Sequence, residues 1–279
     1  MSALPLLSSQ PWVERLGWTL VSFLWQGVLI AVLYAAVRTL ARSATPHTRY
    51  FIACAALAVM VAAPLVTWSL VDTPAPAPYS APYATAFTGA KAPGDGPAPE
   101  PLHTTLQRGW SEPFLPWVVG VWLSGSVALW LRLFGVWVGA LRLGSTLVQP
   151  VPPEWQTLFA QLKARARVSG PVRFLISSLI EVPSVVGWLK PVVLIPAGAL
   201  TGLPPEQIEA LLLHELAHIR RRDYLVNILQ NTAEALLFYH PAVWWVSGHI
   251  RTERELCCDD VAVSLTGDAL AYAQALADL

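Results

Sequence analysis

The sequence predicts a multi-pass α-helical membrane protein that carries an α+β domain after its last span. Of its 279 residues, 54% are hydrophobic and 13% are charged, about half the charged fraction of an ordinary soluble domain. Three apolar segments are long enough to cross a bilayer, and a helical motif with two histidines follows them. The formal net charge is zero, so no nucleic-acid partner is indicated. We therefore divide the chain into a membrane region, residues 1–144, and a domain, residues 145–279.

The membrane region is predicted to contain three transmembrane helices, at about residues 16–37, 50–71 and 116–139. The first two segments have no charged residue, and the third has only Arg132 near its far end, where a long side chain can reach the interface. Because a span needs ~20 apolar residues, all three segments qualify. The first segment is too long for the apolar region of a signal peptide and lacks a cleavage site.

Arginine residues predict the orientation of these spans. The turn between the first two spans contains Arg38, Arg42 and Arg49 and no acidic residue, whereas the Pro/Ala-rich loop of residues 72–115 has more acids than bases. By the positive-inside rule, the amino terminus and this outer loop face outward, and the domain of residues 145–279 is cytoplasmic. The composition of the outer loop predicts a tether without a core of its own.

The segment after the third span predicts one helix and two strands. Residues 154–167 have the apolar spacing of an amphipathic helix. Residues 172–180 and 192–196 are apolar and rich in β-branched side chains, and the prolines and glycine between them predict turns. The two strands should form a small sheet against the helix that carries the two histidines. An edge of that sheet could hold a peptide in an extended conformation.

Three further helices are expected. Pro204-Pro205 predicts the start of the first, residues 223–238 form the second, and the third runs from Pro241 to Gly267. Four polar side chains in the second helix argue against a fourth span, so we expect this helix in or near the cytoplasmic membrane surface. Residues 268–279 have helical character, and the domain is expected to continue beyond them.

The most informative motif is His214-Glu215-Leu216-Ala217-His218. Residues i and i+4 of a helix lie on one face, so both imidazoles can reach one metal ion. Glu215 lies between them, where its carboxylate can act on a water molecule. Apolar residues ahead of the motif predict that it lies about two turns into a half-buried helix. The alternative is a surface helix that carries two histidines without a metal.

A third ligand is expected on the helix that begins at Pro241. At about 100° per residue, Glu255 and Asp259 share a face with apolar neighbours, and a buried carboxylate must be paired or bind a metal. We predict that Glu255 is the ligand and that Asp259 orients a ligand histidine. The alternative is that both acids pair with nearby arginines on the helix surface.

Other residues with metal-binding side chains are assigned lesser roles. Cys257 and Cys258 point about 100° apart, so at most one could face the metal, and a packed thiol is predicted instead. His240 and His249 could contact the substrate or the transition state, although a histidine near a helix start more often has a structural role.

The order of these features identifies a family. Three amino-terminal spans are followed by the segments SVVGWLKPVVLIP, IEALLLHELAHIRRRD, FYHPAVWW and RELCCDD. Over essentially its whole length, the chain resembles the membrane metallopeptidases of the β-lactam receptor family, the Bla/Mec sensor-transducers. The resemblance implies a cytoplasmic zincin-like metallopeptidase domain in a bacterial-type inner membrane. It also implies a zinc ion, Zn²⁺, on His214, His218 and Glu255, with Glu215 as the catalytic acid and base.

The resemblance further implies a zinc metalloendopeptidase of transmembrane signalling. Its substrate would be itself or a cytoplasmic repressor, cleaved in response to an outside signal, and a homodimer could form. Receptors of this family carry a penicillin-binding sensor with a Ser-x-x-Lys serine, and no Ser-x-x-Lys occurs in these 279 residues. Two alternatives remain, namely a quality-control protease of the membrane and a non-catalytic signalling scaffold. A fourth protein ligand to zinc would favour the scaffold, because structural zinc sites are usually closed.

Overall fold

The computed structural model describes residues 10–71, 114–187 and 190–277. The predicted outer loop, residues 72–115, lies almost entirely outside these described residues. Within them, the chain forms three long amino-terminal helices and a small mixed sheet accompanied by shorter helices.

The three amino-terminal helices contain the predicted spans. They are α1 (Pro11–Leu40), α2 (Pro46–Leu70) and α3 (Leu115–Leu143), and each is long and apolar enough to cross a membrane. Most of their large apolar side chains are exposed, as expected of helices that face lipid. The first and third helices extend beyond the predicted spans at both ends.

One compact unit is formed by the described residues within Met1–Gln26 and Val61–Ser124. In this unit, Nε of Arg15 donates a hydrogen bond to the carbonyl oxygen of Trp68 at 2.6 Å. The guanidinium of Arg15 also lies 4.9 Å from the centroid of the Trp68 ring. The arginine near the start of α1 is therefore held by the end of α2 through both its charge and a hydrogen bond.

The other compact unit consists of Gly27–Met60 and Gly125–Leu279, and it contains a four-stranded sheet. The strand order is β1-β2-β4-β3, with β2 parallel to β4 and the other two pairs antiparallel. The strands are β1 (Val148–Pro150), β2 (Arg173–Ser177), β3 (Ser184–Val186) and β4 (Val192–Pro196).

Two of these strands confirm the sequence prediction and two were not predicted. Strand β4 has the predicted bounds, and β2 is shorter than the apolar run of residues 172–180. Strands β1 and β3 are three residues long, too short for an alternating pattern to be recognised. In the case of β3, the flanking Pro183 and Gly187 suggested only turns. Gly187 has a φ of +85°, which allows the chain to leave the strand abruptly.

Among the residues that the structure describes, six helices accompany the sheet. They are α4 (Pro153–Arg165), α5 (Ala199–Gly202), α6 (Pro205–Arg221), α7 (Asp223–Leu236), α8 (Pro241–Thr266) and α9 (Ala269–Ala277). Proline begins α6 and α8 as predicted, and Gly267 ends α8 with a φ of +79°. Arg222 separates α6 from α7 and has a φ of +58°, so the chain reverses within one residue.

The core of the domain lies around α6. Its fully buried side chains Ile208, Leu212 and Leu216 pack in one cluster with Val193 and Ile195 of the sheet. Burying each aliphatic side chain of this size contributes about 1.5–3 kcal/mol. Helix α6 is therefore fixed against the sheet, and the face that carries the two histidines is turned toward α8.

Candidate metal centre

Three potential metal ligands converge between α6 and α8. Nε2 of His214 lies 3.2 Å from Nε2 of His218. Oε2 of Glu255 lies 3.6 Å from the first nitrogen and 3.4 Å from the second. Ligands about 2.0–2.1 Å from a tetrahedral zinc ion are separated by about 3.3–3.4 Å, so the triangle of donor atoms fits such an ion. Two imidazoles and one carboxylate are also a ligand set of catalytic zinc sites.

The helical repeat explains why these side chains meet. His214 and His218 are one turn apart on α6, while the intervening Leu216 and Ala217 are fully buried in the core. Helix α8 passes this face and contributes Glu255. The side chain of Glu255 is 48% exposed, so it does not lie on a buried apolar face as the sequence suggested. Glu255 lies at the opening of a cavity, where a bound substrate can reach the carboxylate of Glu255.

Asp259 holds the imidazole of His214 from behind. Nδ1 of His214 lies 3.0 Å from Oδ1 of Asp259 and 2.8 Å from the hydroxyl oxygen of Tyr272. The Tyr272 hydroxyl donates a hydrogen bond to the same carboxylate oxygen at 2.5 Å. A proton on Nδ1 leaves the lone pair of Nε2 directed at the other two ligands. Tyr272, on α9, has no role in the sequence analysis.

Asp223 has the corresponding position behind His218. Its Oδ2 lies 2.9 Å from Nδ1 of His218, and its Oδ1 accepts a hydrogen bond from Nε of Arg221 at 3.2 Å. The thiol of Cys258 also donates to Oδ2 at 3.4 Å. Asp223 could not be recognised from the sequence, because it follows three arginines at a helix boundary. The left-handed conformation of Arg222 returns the chain so that residue 223 faces residue 218.

The acids around the histidines favour positive charge at this centre. Burial opposes protonation of His214, yet hydrogen bonds to Asp259 and Glu255 raise its pKa to about 9. Burial likewise opposes protonation of His218, whose hydrogen bond to Asp223 is the main cause of a pKa raised to about 12. Hydrogen bonds from both histidines lower the pKa of Glu255 well below its usual range. Such a cluster holds either protons or a metal cation.

Glu215 lies beside the centre and faces a cavity. Burial raises the pKa of its carboxyl to about 7, although the neighbouring histidines act in the opposite direction. A carboxyl with such a pKa can both accept and donate a proton near neutral pH. The cavity has a volume of ≈ 340 Å³ and is lined by Glu215, His218 and Glu255 together with Ser184 and Val185 of strand β3.

A second group of potential ligands shares one histidine with the first. His218, Asp223 and Cys258 also lie within 4.8 Å of one another. In this group the histidine contributes Nδ1, at 3.3 Å from the Cys258 sulfur, and Asp223 and Cys258 are both buried. Only the first group includes the exposed Glu255 carboxylate at the cavity. The thiol of Cys258 thus contacts Nδ1 of His218, whereas the first group uses Nε2, so Cys258 is not a fourth member of the first group.

The two other predicted histidines do not join the cluster. His240 is 2% exposed, and its Nδ1 accepts a hydrogen bond from the backbone N–H of Ala242 at the start of α8. His249 donates from Nδ1 to the carbonyl oxygen of Trp245 at 3.0 Å. Neither residue lines the cavity beside Glu215. The prediction that they contact a substrate is therefore not supported, and both have structural partners instead.

Glu253 does not join the cluster and pairs with an arginine of another helix. Its carboxylate is 7% exposed, and both of its oxygens accept hydrogen bonds from Nε of Arg49 at 2.9 Å. Arg49 belongs to the start of α2, so a buried ion pair joins α2 to the helix that carries Glu255.

The fold and the cluster together indicate a membrane-associated metallopeptidase. A model of the family described as BlaR1 peptidase M56 matches residues 18–279. The chain therefore belongs to this peptidase family, as the resemblance in the sequence predicted. Membership implies a metallopeptidase, and the cluster of histidine and glutamate ligands is a candidate site for its metal.

Several curated proteins are similar to parts of this chain. The regulatory protein BlaR1 of Bacillus licheniformis is 27% identical over 146 residues, which are 52% of this chain and 23% of that protein. The methicillin resistance mecR1 proteins of Staphylococcus aureus and Staphylococcus epidermidis are each 28% identical over 83 residues, 30% of this chain and 14% of theirs. The matched segments thus span less than a quarter of these relatives.

Proposed function

We propose that this protein is a zinc-dependent metalloendopeptidase of transmembrane signalling. The observation that carries the proposal is the triangle formed by His214, His218 and Glu255 beside a cavity that also exposes Glu215. Its separations suit a tetrahedral ion, and its side open to the cavity suits a catalytic zinc site. The alternative of a structural zinc closed by a fourth ligand receives no support from Cys258, because its sulfur contacts Nδ1 of His218 and not Nε2, which faces the triangle.

Each residue of the centre has a distinct task in peptide hydrolysis. His214, His218 and Glu255 would hold zinc, which supplies Lewis-acid activation of the scissile carbonyl and of water. Glu215 accepts a proton from the attacking water and delivers it to the nitrogen of the leaving amine. Asp259 and Asp223 keep the two imidazoles in the tautomer that directs Nε2 toward the metal.

The substrate class follows from strand β3. This strand lies at the edge of the sheet, where it pairs with β4 on one side. Among the described residues, no strand pairs with its other side, and Ser184 and Val185 line the cavity. An extended polypeptide can add to this edge through backbone hydrogen bonds. Such binding requires no free chain end, so it supports an endopeptidase acting on extended or unfolded segments.

The names of the relatives support a role in signalling. One is called a regulatory protein and the others methicillin resistance proteins. We propose that the chain cleaves itself, a cytoplasmic repressor, or both, in response to an outside signal, as in β-lactam receptor-type transducers. The signal is proposed by analogy alone. Quality control of membrane proteins would use the same chemistry on a broader range of substrates.

The proposed orientation has the amino terminus outside and the peptidase domain in the cytoplasm. It rests on the arginines of the turn between α1 and α2. A cysteine introduced at Ala86 should react with a membrane-impermeant maleimide on intact cells, whereas one introduced at Thr45 should react only after the cells are opened. The reverse pattern would contradict the orientation.

The catalytic proposal is tested with the full chain reconstituted with zinc in lipid nanodiscs. Self-cleavage and cleavage of an unstructured peptide library are followed by mass spectrometry for wild type, Glu215→Gln and Glu206→Gln. Loss of the acid and base should reduce the rate by about 10²–10⁴-fold, while the exposed Glu206 on the same helix should be replaceable. Equal rates for all three would contradict the proposal. Cleavage at few library sites would favour a signalling substrate, and cleavage at most sites would favour quality control.

A further inference from the structure

The turn between α7 and α8 packs against the middle of two candidate membrane helices. The ring of His240 contacts α1 at Gly27, where a Cβ atom would lie 2.5 Å from Nε2 of the histidine. The ring of Phe238 contacts α3 at Gly125 so closely that a side chain there would collide with it. Both glycines are therefore required for close approach of the turn.

The position of Gly27 gives the depth of this turn. With a rise of about 1.5 Å per residue, Gly27 lies about 24 Å from Pro11 and about 20 Å from Leu40 along α1. The length and composition of α1 indicate that it crosses the membrane. In a hydrocarbon core about 30 Å thick, the midplane then lies near Gly27. His240 and Phe238 then lie near the middle of the bilayer.

The first half of α8 continues from that depth along α1. After the contact of His240 with Gly27, the rings of Trp245 and His249 lie 5.3 and 5.8 Å from the ring of Tyr34. Tyr34 is two turns further along α1, so contacts follow the same order on both helices. Helix α8 therefore runs beside α1 from its middle toward the turn between α1 and α2. The ion pair of Glu253 with Arg49 lies at the end of this path.

Two buried polar side chains of α7, Gln230 and Glu234, are turned toward α8. Gln230 is fully buried and donates a hydrogen bond to the backbone carbonyl of Ser247 at 3.0 Å. Glu234 is 8% exposed and accepts a hydrogen bond from Arg251 at 2.6 Å. Gln230 and Glu234 are two of the four polar residues that argued against a span, and their polar groups are directed into the helix pair. Paired polar groups directed inward are how membrane interiors accommodate such residues. Asn227, another of the four, is exposed and lines the cavity beside Glu215.

The opposite face of the helix pair is apolar and exposed. It presents Ile228 and Leu229 on α7, which are 49% and 69% exposed, and Trp244 on α8. The indole N–H of Trp244 donates to the carbonyl oxygen of Phe238 at 2.8 Å, so this tryptophan presents only its ring. The backbone N–H of His240 is bonded to the carbonyl of Leu237. Internal hydrogen bonds of this kind are what a turn within hydrocarbon requires.

From these contacts we infer that α7 and α8 form a re-entrant hairpin whose turn lies near the bilayer midplane. Lipid acyl chains cover its exposed face of Ile228, Leu229 and Trp244. The face continues the lipid-facing surfaces of α1 and α3, against which the turn packs. This position is deeper than the membrane-surface helix expected from the sequence, and it does not depend on catalytic activity.

The hairpin also sets the distance of the metal centre from the membrane. Helix α7 has 14 residues and rises about 20 Å, which exceeds the half-thickness of about 15 Å of the hydrocarbon core. Asp223, at its other end, therefore lies just outside the hydrocarbon. The guanidinium of Arg221 lies 4.9 Å from the ring of Tyr50, near the start of α2, which agrees with that level. Substrate segments close to the membrane surface are thus the ones that reach the centre.

Depth measurements on the full chain in phosphatidylcholine vesicles test this inference. Single cysteines replace Leu229, or Ile228 as a second position on the same face. Leu33→Cys, at a similar level on α1, is the matched control in lipid, and Glu206→Cys is the control in water. Reaction of each with a charged maleimide is measured in opened vesicles. Quenching of an attached bimane by lipids with a mid-chain doxyl group is measured separately.

Leu229→Cys should behave as Leu33→Cys does. Both should react at least about tenfold more slowly than Glu206→Cys, because water is absent from the bilayer core, and both should be quenched by the doxyl lipids. Reaction of Leu229→Cys and Ile228→Cys at the rate of Glu206→Cys would overturn the inference. Slow reaction without quenching would also overturn it, since a second protein chain and not lipid would then cover this face.

Discussion

Replacing Asp223 with asparagine should weaken zinc binding while the domain remains folded. Asp223 lies 2.9 Å from Nδ1 of His218 and also accepts a hydrogen bond from Arg221. Asparagine has the same shape and retains one acceptor, but it lacks the negative charge that makes the imidazole a stronger donor to the metal. Partners of ligand histidines typically change metal affinity by about 10–100-fold, which corresponds to about 1.4–2.7 kcal/mol. We expect a loss in this range.

The measurement is a competition between the purified full chain and a chelating indicator dye for zinc. Asp260→Asn is the matched control, because it removes one carboxylate from an exposed position on α8, and its affinity should stay within about twofold of wild type. Circular dichroism and gel filtration check that both variants are folded. A folded Asp223→Asn protein that binds zinc as tightly as the control would refute the role assigned to this carboxylate.

Three further predictions concern the same helices. Glu255→Ala should lose zinc from the purified protein by metal analysis, while Asp260→Asn retains it; equal zinc contents would show that another residue is the third ligand. Glu253→Ala should lower the thermal unfolding temperature, because it removes the charge-assisted hydrogen bonds from Arg49, which contribute about 1.5–3 kcal/mol; an unchanged temperature would contradict the stabilising role of this ion pair. Apparent zinc affinity should rise between about pH 6 and pH 9, because zinc must displace protons from its ligands. The sign follows from the pKa of about 9 of metal-free His214, and an affinity that falls over this range would contradict it.

Long, regular features of this chain could be predicted from the sequence. The three apolar helices are unbroken by charge over most of their length, and Pro205, Pro241 and Gly267 mark helix ends that the structure reproduces. The helical repeat also predicted that Glu255 and Asp259 share a face. Each of these inferences depends on residues close together in the sequence, where the geometry of one helix determines which side chains are neighbours.

Features that depend on tertiary contacts could not be predicted. The contact of Asp223 with His218 requires a reversal at a single residue in the left-handed conformation, which an arginine adopts only rarely. The partner of Glu253 lies 204 positions away in the sequence. The polar residues of α7 suggested a helix outside the membrane because composition alone does not reveal that Gln230 and Glu234 are directed toward α8.

Zinc-edge X-ray absorption spectroscopy of the zinc-loaded full chain tests the central claim most directly. The claim is that zinc is held by His214, His218 and Glu255 and not by the neighbouring group that contains Cys258. The spectrum should show only nitrogen and oxygen ligands at ~2.0–2.1 Å, with the multiple-scattering signature of imidazole. A sulfur ligand at ~2.3 Å would contradict the account, because it would place the ion behind His218, on the side away from Glu255 and the substrate cavity.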